Sequence, residues 1–334
     1  MTNQNMEQGY LLGVDVGNSK THTLISDLSG NVLGFGETGC GSYEVLGLEG
    51  MSKALNQAAQ KALFDAKLNK SDITAMGFGI AGYDWPMEKQ IMIKAIESLG
   101  IKSAYEFVND VVIGLLAGAS KGWGIAVDAG TGNNVRGQDQ SGRIGRITGN
   151  SVRFGEIGGA AELVWRAQIA ATYAWTQRGP ETKISQVLME YAEVESDEAL
   201  IEGLAMEKIH LSPIIARDIF RLAAEGDEVA DSIVNFSARE LGLNVNAVIK
   251  QLDLQELTFD VVLIGSTFKA GEIYIQPLRE TIHGFAPKAQ LVPLSVPPVV
   301  GAVLLASEVI QLRTEAIRER LITSTKIILS NAFK

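Results

Sequence analysis

Two segments of the sequence share one pattern of residue types that could bind an anion. Residues 10–21 read YLLGVDVGNSKT, and residues 124–134 read GIAVDAGTGNN. Each is an apolar run, then an aspartate (Asp15 or Asp128), then a tight turn of Gly, Asn, Ser and Thr. Such a turn leaves backbone N–H groups free to surround an anion, because glycine permits close approach and positive φ. The repetition predicts two lobes that hold opposite ends of a polyphosphate.

The first turn matches neither of the common phosphate-binding motifs. A Walker A loop has Gly before its Lys-Ser/Thr pair, but here Ser19 precedes Lys20. The run after the turn also reads as a strand rather than a helix. The glycines do not form G-x-G-x-x-G at a helix start, which excludes the Rossmann motif. The remaining interpretation is a hairpin whose turn meets phosphate, with Asp15 on the preceding strand.

Composition excludes several classes of function. The 334 residues allow two domains with a sizeable core, and 46% are hydrophobic. A net charge of −10 without a basic cluster argues against a nucleic-acid partner. The one cysteine, Cys40, excludes an intrachain disulfide and a cysteine-built metal site. No signal-peptide pattern and no run of membrane-spanning length occurs. We therefore expect a cytoplasmic protein without a membrane partner.

The alternation of strand and helix patterns predicts a duplicated α/β fold with a cleft between lobes. Strand clusters followed by helices occur twice, and the segment SKGWG at 120–124 separates them. We predict an N-terminal lobe over 1–119, a C-terminal lobe over 120–308, and a helix over 309–334 that packs back on the first lobe. The alternative for that helix is dimerisation, which would give a homodimer. Trp165 and Trp175 are predicted to lie in the buried stripe of a helix.

Five segments in order resemble the sugar kinase, heat-shock-protein-70 and actin superfamily. Within it they are most similar to N-acetylglucosamine kinases and the BadF/BadG/BcrA/BcrD ATPase group. The segments are GVDVGNSKT (13–21), VNDVVIG (108–114), DAGTGNN (128–134), VVLIGSTFKAG (261–271) and VVGAVLLA (299–306). The resemblance implies a duplicated ribonuclease H-like (actin-like ATPase) two-lobe fold with a nucleotide cleft between the lobes. It also implies ATP and Mg²⁺ as cofactors and phosphoryl transfer to a small-molecule sugar, first of all N-acetylglucosamine.

The resemblance implies roles for individual residues. Asp110 takes the place of the base that activates the sugar hydroxyl, with a helix N-cap as its alternative. Asp15 would hold Mg²⁺ through water, since Mg²⁺ dehydrates reluctantly, with a turn-forming role as its alternative. The role of Asp128 stays open between the metal shell and the turn. The predicted ATP phosphate contacts are Gly17, Asn18, Ser19, Thr21, Gly130, Thr131 and Gly132. The predicted adenosine contacts are Gly265, Ser266 and Gly301.

The acceptor side departs from the family pattern. Ser42 stands where the family commonly has Asn, and Glu156 replaces an aspartate expected to bind sugar hydroxyls. Arg153 fits either recognition of an anionic substituent, such as the lactyl group of N-acetylmuramate, or a solvated charge. The choice among N-acetylglucosamine, N-acetylmuramate and glucosamine therefore stays open. The predicted sugar contacts are Ser42, Gly82, Asn134 and Glu156.

Two further functions compete with a sugar kinase. An electron-transfer activase of the same group needs about four cysteines for its iron–sulfur cluster, and a dimer of this chain offers only two copies of Cys40. A non-catalytic sugar or nucleotide sensor would be favoured by loss of the base, yet Asp110 is present. No DNA-binding helix-turn-helix precedes Tyr10 either. Both readings are less favoured than the kinase.

Overall fold

The computed structural model of the chain describes residues 9–332 and consists of two compact units. The first unit contains the chain up to Ala126 and again from Val292 onwards, and the second contains Val127–Leu291. Residues 120–126 and 292–308, which we predicted in the C-terminal lobe, thus belong to the first unit. The reason is packing, because the helix at 299–309 is buried against strands of the N-terminal sheet.

The elements alternate along the chain as the sequence pattern indicates. The strands are β1 (Tyr10–Val16), β2 (Thr21–Asp27), β3 (Val32–Thr38), β4 (Ile73–Ile80), β5 (Ala104–Asn109), β6 (Gly124–Ala129), β7 (Asn133–Gln138), β8 (Ile144–Arg146), β9 (Phe259–Ile264) and β10 (Ala289–Pro293). The helices are α1 (Tyr43–Ala66), α2 (Lys89–Glu97), α3 (Asp110–Gly118), α4 (Ala160–Trp175), α5 (Ile184–Ala192), α6 (Asp197–Ala205), α7 (Ala216–Ala224), α8 (Glu228–Gln251), α9 (Glu272–His283), α10 (Val299–Val309) and α11 (Thr314–Ala332).

Each sheet has five strands in the same spatial order. The first sheet runs β3-β2-β1-β4-β5, and the second runs β8-β7-β6-β9-β10. In both sheets the order is therefore third, second, first, fourth and fifth strand of the set. In the first sheet β2 lies antiparallel to both β1 and β3, whereas β1, β4 and β5 are parallel. The predicted duplication of an α/β unit is confirmed.

Glycines let helix α10 pack directly on the first sheet and on α3. A Cβ on Gly301 would lie 1.8 Å from the carbonyl oxygen of Ile113 in α3. On the sheet, a Cβ on Gly77 would lie 2.1 Å from the carbonyl oxygen of Ala302. All residues from 299 to 307 are buried, as expected for a helix that is apolar all round. The VVGAVLLA segment is thus a core helix of the first unit.

Helix α11 lies against the first unit. Ile317 and Leu321 are buried in one cluster with Leu11 of β1 and residues of α10. Arg318 donates hydrogen bonds to the carbonyl oxygens of Leu116 and Ala117, at 2.6 and 2.7 Å, near the end of α3. The apolar stripe of this helix is therefore covered within its own unit.

The second unit is richer in helix, and α4 and α8 pack together in it. Trp165 and Trp175 on α4 are 45% and 46% exposed, so the prediction that they lie in a buried stripe was wrong. The buried side of α4 carries smaller side chains, namely Leu163, Val164, Ala167 and Ala171. Within residues 9–332, no helix has the length and apolarity needed to cross a membrane.

Candidate functional site

Three predicted residues of the first unit lie at the carboxyl edge of its parallel strands. The register pairs Asp15 with Gly79, and Gly79 with Val108, which comes two residues before Asp110. Gly82 follows the end of β4 by two residues. Ligands of open α/β sheets bind outside the carboxyl ends of the strands. The topology therefore places Asp15, Gly82 and Asp110 where a ligand is expected.

Asn109, and not Asp110, is the N-cap of helix α3. Asn109 is extended (φ −62°, ψ 147°), and its side-chain oxygen accepts a hydrogen bond from the N–H of Val111 at 3.1 Å. Asp110 is the first helical residue, and its Oδ1 also accepts from the N–H of Val111, at 3.0 Å. Capping therefore does not explain why a carboxylate stands at position 110. A negative charge is favourable there because it faces the positive end of the helix dipole.

The first glycine turn presents exposed backbone. Its N–H at Gly17 donates to the carbonyl oxygen of Lys20 at 2.9 Å, and Asn18 and Ser19 are exposed. Lys20 forms an ion pair with Glu37 at 2.9 Å. Thr21, in contrast, is fully buried, and its hydroxyl makes no hydrogen bond in the described part of the chain. Of the phosphate contacts predicted for this turn, Asn18 and Ser19 are thus exposed, whereas Thr21 is not.

Ser42 has a buried hydroxyl that needs a partner. It occupies the N-cap position of α1, yet its side chain makes no capping bond. The residue is fully buried, and its Oγ has no hydrogen-bond partner within residues 9–332. Leaving a buried polar group unpaired costs about 1–3 kcal/mol. A bound molecule or a water that supplies the missing bond would remove this penalty.

In the second unit, the glycine turn after β6 is held against the start of α4. The N–H of Gly130 donates to the carbonyl oxygen of Gly132 at 3.0 Å. The N–H groups of Ala160 and Ala161 donate to the carbonyl oxygens of Gly130 and Thr131, at 3.0 and 2.8 Å. The turn thus uses its carbonyl groups to fix itself to the helix.

Gly265 joins the end of β9 to the same turn. Its φ is +105° with ψ 164°, a region that is essentially restricted to glycine. A Cβ there would lie 2.4 Å from the carbonyl oxygen of Ala129 and 2.8 Å from Oδ1 of Asp128. Nearby, the Thr267 hydroxyl donates to the carbonyl oxygen of Gly130 at 3.2 Å. The second unit therefore brings the predicted phosphate and adenosine segments together.

A cavity of about 450 Å³ lies at this junction. Its lining includes Gly130, Thr131 and Ser266 of the predicted site. Its volume falls within the range of small-molecule sites, roughly 300–1,000 Å³. A further wall comes from a short 3-10 helix and from α7, and no motif in the sequence pointed to it. The lining residues of that wall are Pro213, Ile214, Ala216, Arg217 and Phe220.

The cavity combines an apolar wall with cations. Ile214 and Phe220 offer a surface for a flat ring, and the ring of Phe220 is fixed edge-on to Tyr274, with centroids 5.5 Å apart. Arg217 and Lys269 also line the cavity, and neither forms an ion pair with any described residue. Cations of this kind attract phosphate groups. The cavity therefore presents both apolar side chains and cations to a ligand.

The carboxylate of Glu156 organises its own loop. Oε1 accepts from the N–H of Thr148 at 2.6 Å. Oε2 accepts from the Thr148 hydroxyl at 2.9 Å and from the N–H of Asn150 at 3.0 Å. By contrast, the side-chain oxygen of Asn134 is buried without a partner among residues 9–332. The side-chain oxygen of Asn134 can thus accept a hydrogen bond from a ligand, whereas the carboxylate of Glu156 already accepts three hydrogen bonds.

The sequence analysis missed a second buried carboxylate beside this loop. Glu162, in the first turn of α4, is buried, and its Oε1 accepts a hydrogen bond from the Ser151 hydroxyl. Its Oε2 has no partner in the described range. A Cβ on Gly159 would lie 2.5 Å from Oε2, so this glycine makes room for the carboxylate. No motif marks Glu162, because an acidic residue in a first helical turn is common.

Replacing Glu156 with glutamine is expected to destabilise the second unit. A glutamine amide accepts through only one of its two terminal atoms, so the hydrogen bonds that both carboxylate oxygens accept cannot all be kept, and a lost bond costs about 1–3 kcal/mol. Thermal unfolding measures the effect, with Glu202→Gln, an exposed site on α6, as the matched control. An unchanged melting temperature for Glu156→Gln would contradict the loop-organising role.

Comparison with known proteins places these features in a family. The model of the BadF/BadG/BcrA/BcrD ATPase family matches residues 12–306. An N-acetylmuramic acid/N-acetylglucosamine kinase of Clostridium acetobutylicum is 27% identical over 299 residues, covering 89% of this chain and 98% of the relative. An N-acetyl-D-glucosamine kinase of Dictyostelium discoideum is 27% identical over 319 residues, covering 90% and 98%.

The fold has a solved counterpart. The crystal structure of a candidate N-acetylglucosamine kinase from Chromobacterium violaceum superposes with a TM-score of 0.66 at 22% identity. The match covers 89% of this chain and 99% of that protein. It shows the same two-lobe α/β fold.

Proposed function

The chain belongs to the BadF/BadG/BcrA/BcrD ATPase family, and on that premise we propose that it is an ATP-dependent kinase of an amino sugar. N-acetylglucosamine is the first acceptor we propose, and the names of the two 27% identical relatives support it. The observation that carries the proposal is the cavity of about 450 Å³, where the glycine turn at 130–132 meets the segment after β9.

In this proposal ATP occupies the cavity of the second unit. The adenine ring lies against Ile214 and Phe220, and the phosphates extend towards the N–H groups of the glycine turn. Arg217 and Lys269 balance part of the negative charge. Gly265 is required because any side chain at this position would collide with Ala129. Gly301 packs against α3 in the first unit, and its predicted adenosine contact stays a prediction.

Asp110 is the proposed base for the acceptor hydroxyl. Phosphoryl transfer needs positioning, charge neutralisation and acceptance of the hydroxyl proton. Asn109 is the N-cap of α3, and Asp110 is the first residue of that helix, at the carboxyl edge of the sheet. Ser42 has a buried hydroxyl without a partner in the described range, and we propose that it binds a hydroxyl or amide group of the sugar. The predicted sugar contact of Asn134, in the second unit, stays a prediction.

Asp15 is the proposed link to Mg²⁺. Within the described residues no group of three or more His, Cys, Asp or Glu side chains could hold a metal ion. This fits Mg²⁺ in nucleotide enzymes, which takes one or two carboxylates together with waters and phosphates. When bound, the ion would neutralise charge on the phosphate oxygens. Asp15 is the last but one residue of β1, next to the glycine turn, and its carboxylate is a ligand of the kind that Mg²⁺ takes.

The Asp15→Ala variant is therefore expected to need more Mg²⁺ and to turn over more slowly, because an unneutralised triphosphate is poorly held. Initial rates over a Mg²⁺ titration at fixed ATP measure this change, with Asp15→Asn as the variant that keeps the shape of the side chain. A Mg²⁺ dependence identical to that of the parent would make Asp15 a turn residue only.

A panel of sugars tests the proposed function. ADP release is measured with N-acetylglucosamine, N-acetylmuramate, glucosamine and glucose, and without sugar. We expect release that depends on an amino sugar. Binding of sugar or nucleotide without turnover would instead indicate a sensor, and ADP release that is independent of every sugar would indicate an uncoupled ATPase.

A further inference from the structure

A carboxylate covers Gly82 at the carboxyl edge of the first sheet. Gly82 has a φ of +78°, and a Cβ there would lie 2.9 Å from Cδ and 3.0 Å from Oε2 of Glu44. Glu44 belongs to the first turn of α1, and Gly47, with φ +66°, interrupts the helix directly after that turn. The turn is thus a separate piece of backbone that holds Glu44 over the loop after β4.

Two more carboxylates stand beside Glu44. Oε2 of Glu88 accepts hydrogen bonds from the N–H groups of Asp84 and Trp85, both at 2.8 Å. The side-chain amide of Asn109, next to Asp110, donates to Oδ1 of Asp84 at 3.3 Å. Burial, and then repulsion by Asp84 and Glu88, raises the pKa of Glu44. Neither Glu44 nor Glu88 forms an ion pair with a described residue.

The same segment carries an independent sign of a ligand. Ser42, two residues before Glu44, is fully buried, and its hydroxyl makes no hydrogen bond within residues 9–332. A buried hydroxyl without a partner is unfavourable. A polar group of a bound molecule would satisfy it. A ligand that bonds to Ser42 would thus contact the same short segment that carries Glu44.

We propose that Glu44 makes the acceptor site discriminate by charge, so that this chain favours neutral amino sugars over those that carry a carboxylate. The inference rests on the proposed sugar kinase function. N-acetylmuramate differs from N-acetylglucosamine by a lactyl group, which adds one negative charge. That charge would meet Glu44 and Glu88, neither of which has a paired cation among the described residues, and like charges repel each other. The chain would thus be selective between the two sugars in the name of its Clostridium acetobutylicum relative.

Arg153 is the residue that would give the opposite selectivity. It is exposed and belongs to the second unit, and the sequence analysis left open whether it recognises an anionic substituent. If Arg153 selected the lactyl carboxylate, the chain would favour N-acetylmuramate. The variant Arg153→Gln would then lower the relative rate with that sugar. If Glu44 sets the selectivity, Arg153→Gln leaves the ratio of the two rates unchanged.

The test compares kcat/KM for N-acetylmuramate with kcat/KM for N-acetylglucosamine in the parent, Glu44→Gln and Glu49→Gln. Glu49 is an exposed glutamate of the same helix, so its replacement is a control for net charge. We expect the parent to favour N-acetylglucosamine and Glu44→Gln to raise the ratio about two- to fivefold, as for a partly screened charge pair. Glu49→Gln should leave the ratio at the parent value.

Salt provides a second measurement that needs no variant. Screening weakens repulsion between partly exposed charges, so the ratio for the parent should rise with ionic strength, and more than it does for Glu44→Gln. A parent that favours N-acetylmuramate, or a ratio unaffected by both Glu44→Gln and salt, would overturn the proposal. A parent that phosphorylates no sugar would overturn the proposed function itself, and the charge selection with it.

Discussion

The Asp110→Asn variant is expected to lose about 10²-fold or more in kcat, the usual contribution of a general base. Asparagine keeps the size of the side chain and can still accept from the N–H of Val111, so α3 should remain intact. The N-cap is Asn109, which the substitution does not touch. The loss should therefore appear in turnover and not in folding or in nucleotide binding.

Three measurements separate these effects. kcat comes from sugar-dependent ADP release, ATP affinity from calorimetric titration, and folding from thermal unfolding. Glu106→Gln, on strand β5 four residues before Asp110, removes a carboxylate from the same segment and serves as the matched control. If folded Asp110→Asn protein turned over within about threefold of the parent, well short of a general-base effect, Asp110 would not be the base.

The Gly265→Ala variant is expected to weaken ATP binding strongly. The new Cβ would lie 2.4 Å from the carbonyl oxygen of Ala129, at a φ of +105°. Holding a non-glycine residue in such a conformation costs about 1–3 kcal/mol. If the site relaxes by giving up its ligand-binding geometry, the dissociation constant for ATP rises about 5- to 150-fold. Titration of ATP into the variant and the parent measures this change.

Gly271→Ala is the control for Gly265→Ala. Gly271 also has a positive φ, of +76°, and ends the short helix that begins at Ser266. An added Cβ there meets no atom within 4 Å, so this variant has the conformational strain without the collision. We expect it to bind ATP more tightly than Gly265→Ala does. Equal affinities for the two variants would mean that the contact with Ala129 does not shape the nucleotide site.

The repeated glycine turns, together with strand clusters that are followed by helices twice over, predicted the duplicated α/β architecture. Both follow a first strand, and both sheets have the same strand order, because the motif and the pairing of its flanking strands are local. The membership of α10 was not predictable in this way. Its all-apolar sequence indicates burial but not which sheet covers it. The answer depends on Gly13 and Gly77, far away in the chain, whose missing side chains let the helix approach.

The motif residues of the candidate site were predicted from the sequence, whereas the residues that form its apolar wall were missed. Gly130, Thr131 and Ser266 line one cavity, as glycine-rich turns after strands indicate. The wall from α7 has no motif, since an amphipathic helix does not reveal whether Phe220 faces a core or a cavity. Trp165 was misplaced for the same reason. Hydropathy alone cannot show that smaller residues fill the buried side of α4.

The central claim is that the phosphoryl group of ATP goes to the sugar, and ³¹P NMR of the reaction mixture tests this directly. With N-acetylglucosamine present, we expect a sugar phosphate monoester that accumulates in equal amount with ADP, and little inorganic phosphate. Without sugar, ATP should persist. ADP that forms together with inorganic phosphate, at the same rate with and without any amino sugar, would contradict the claim.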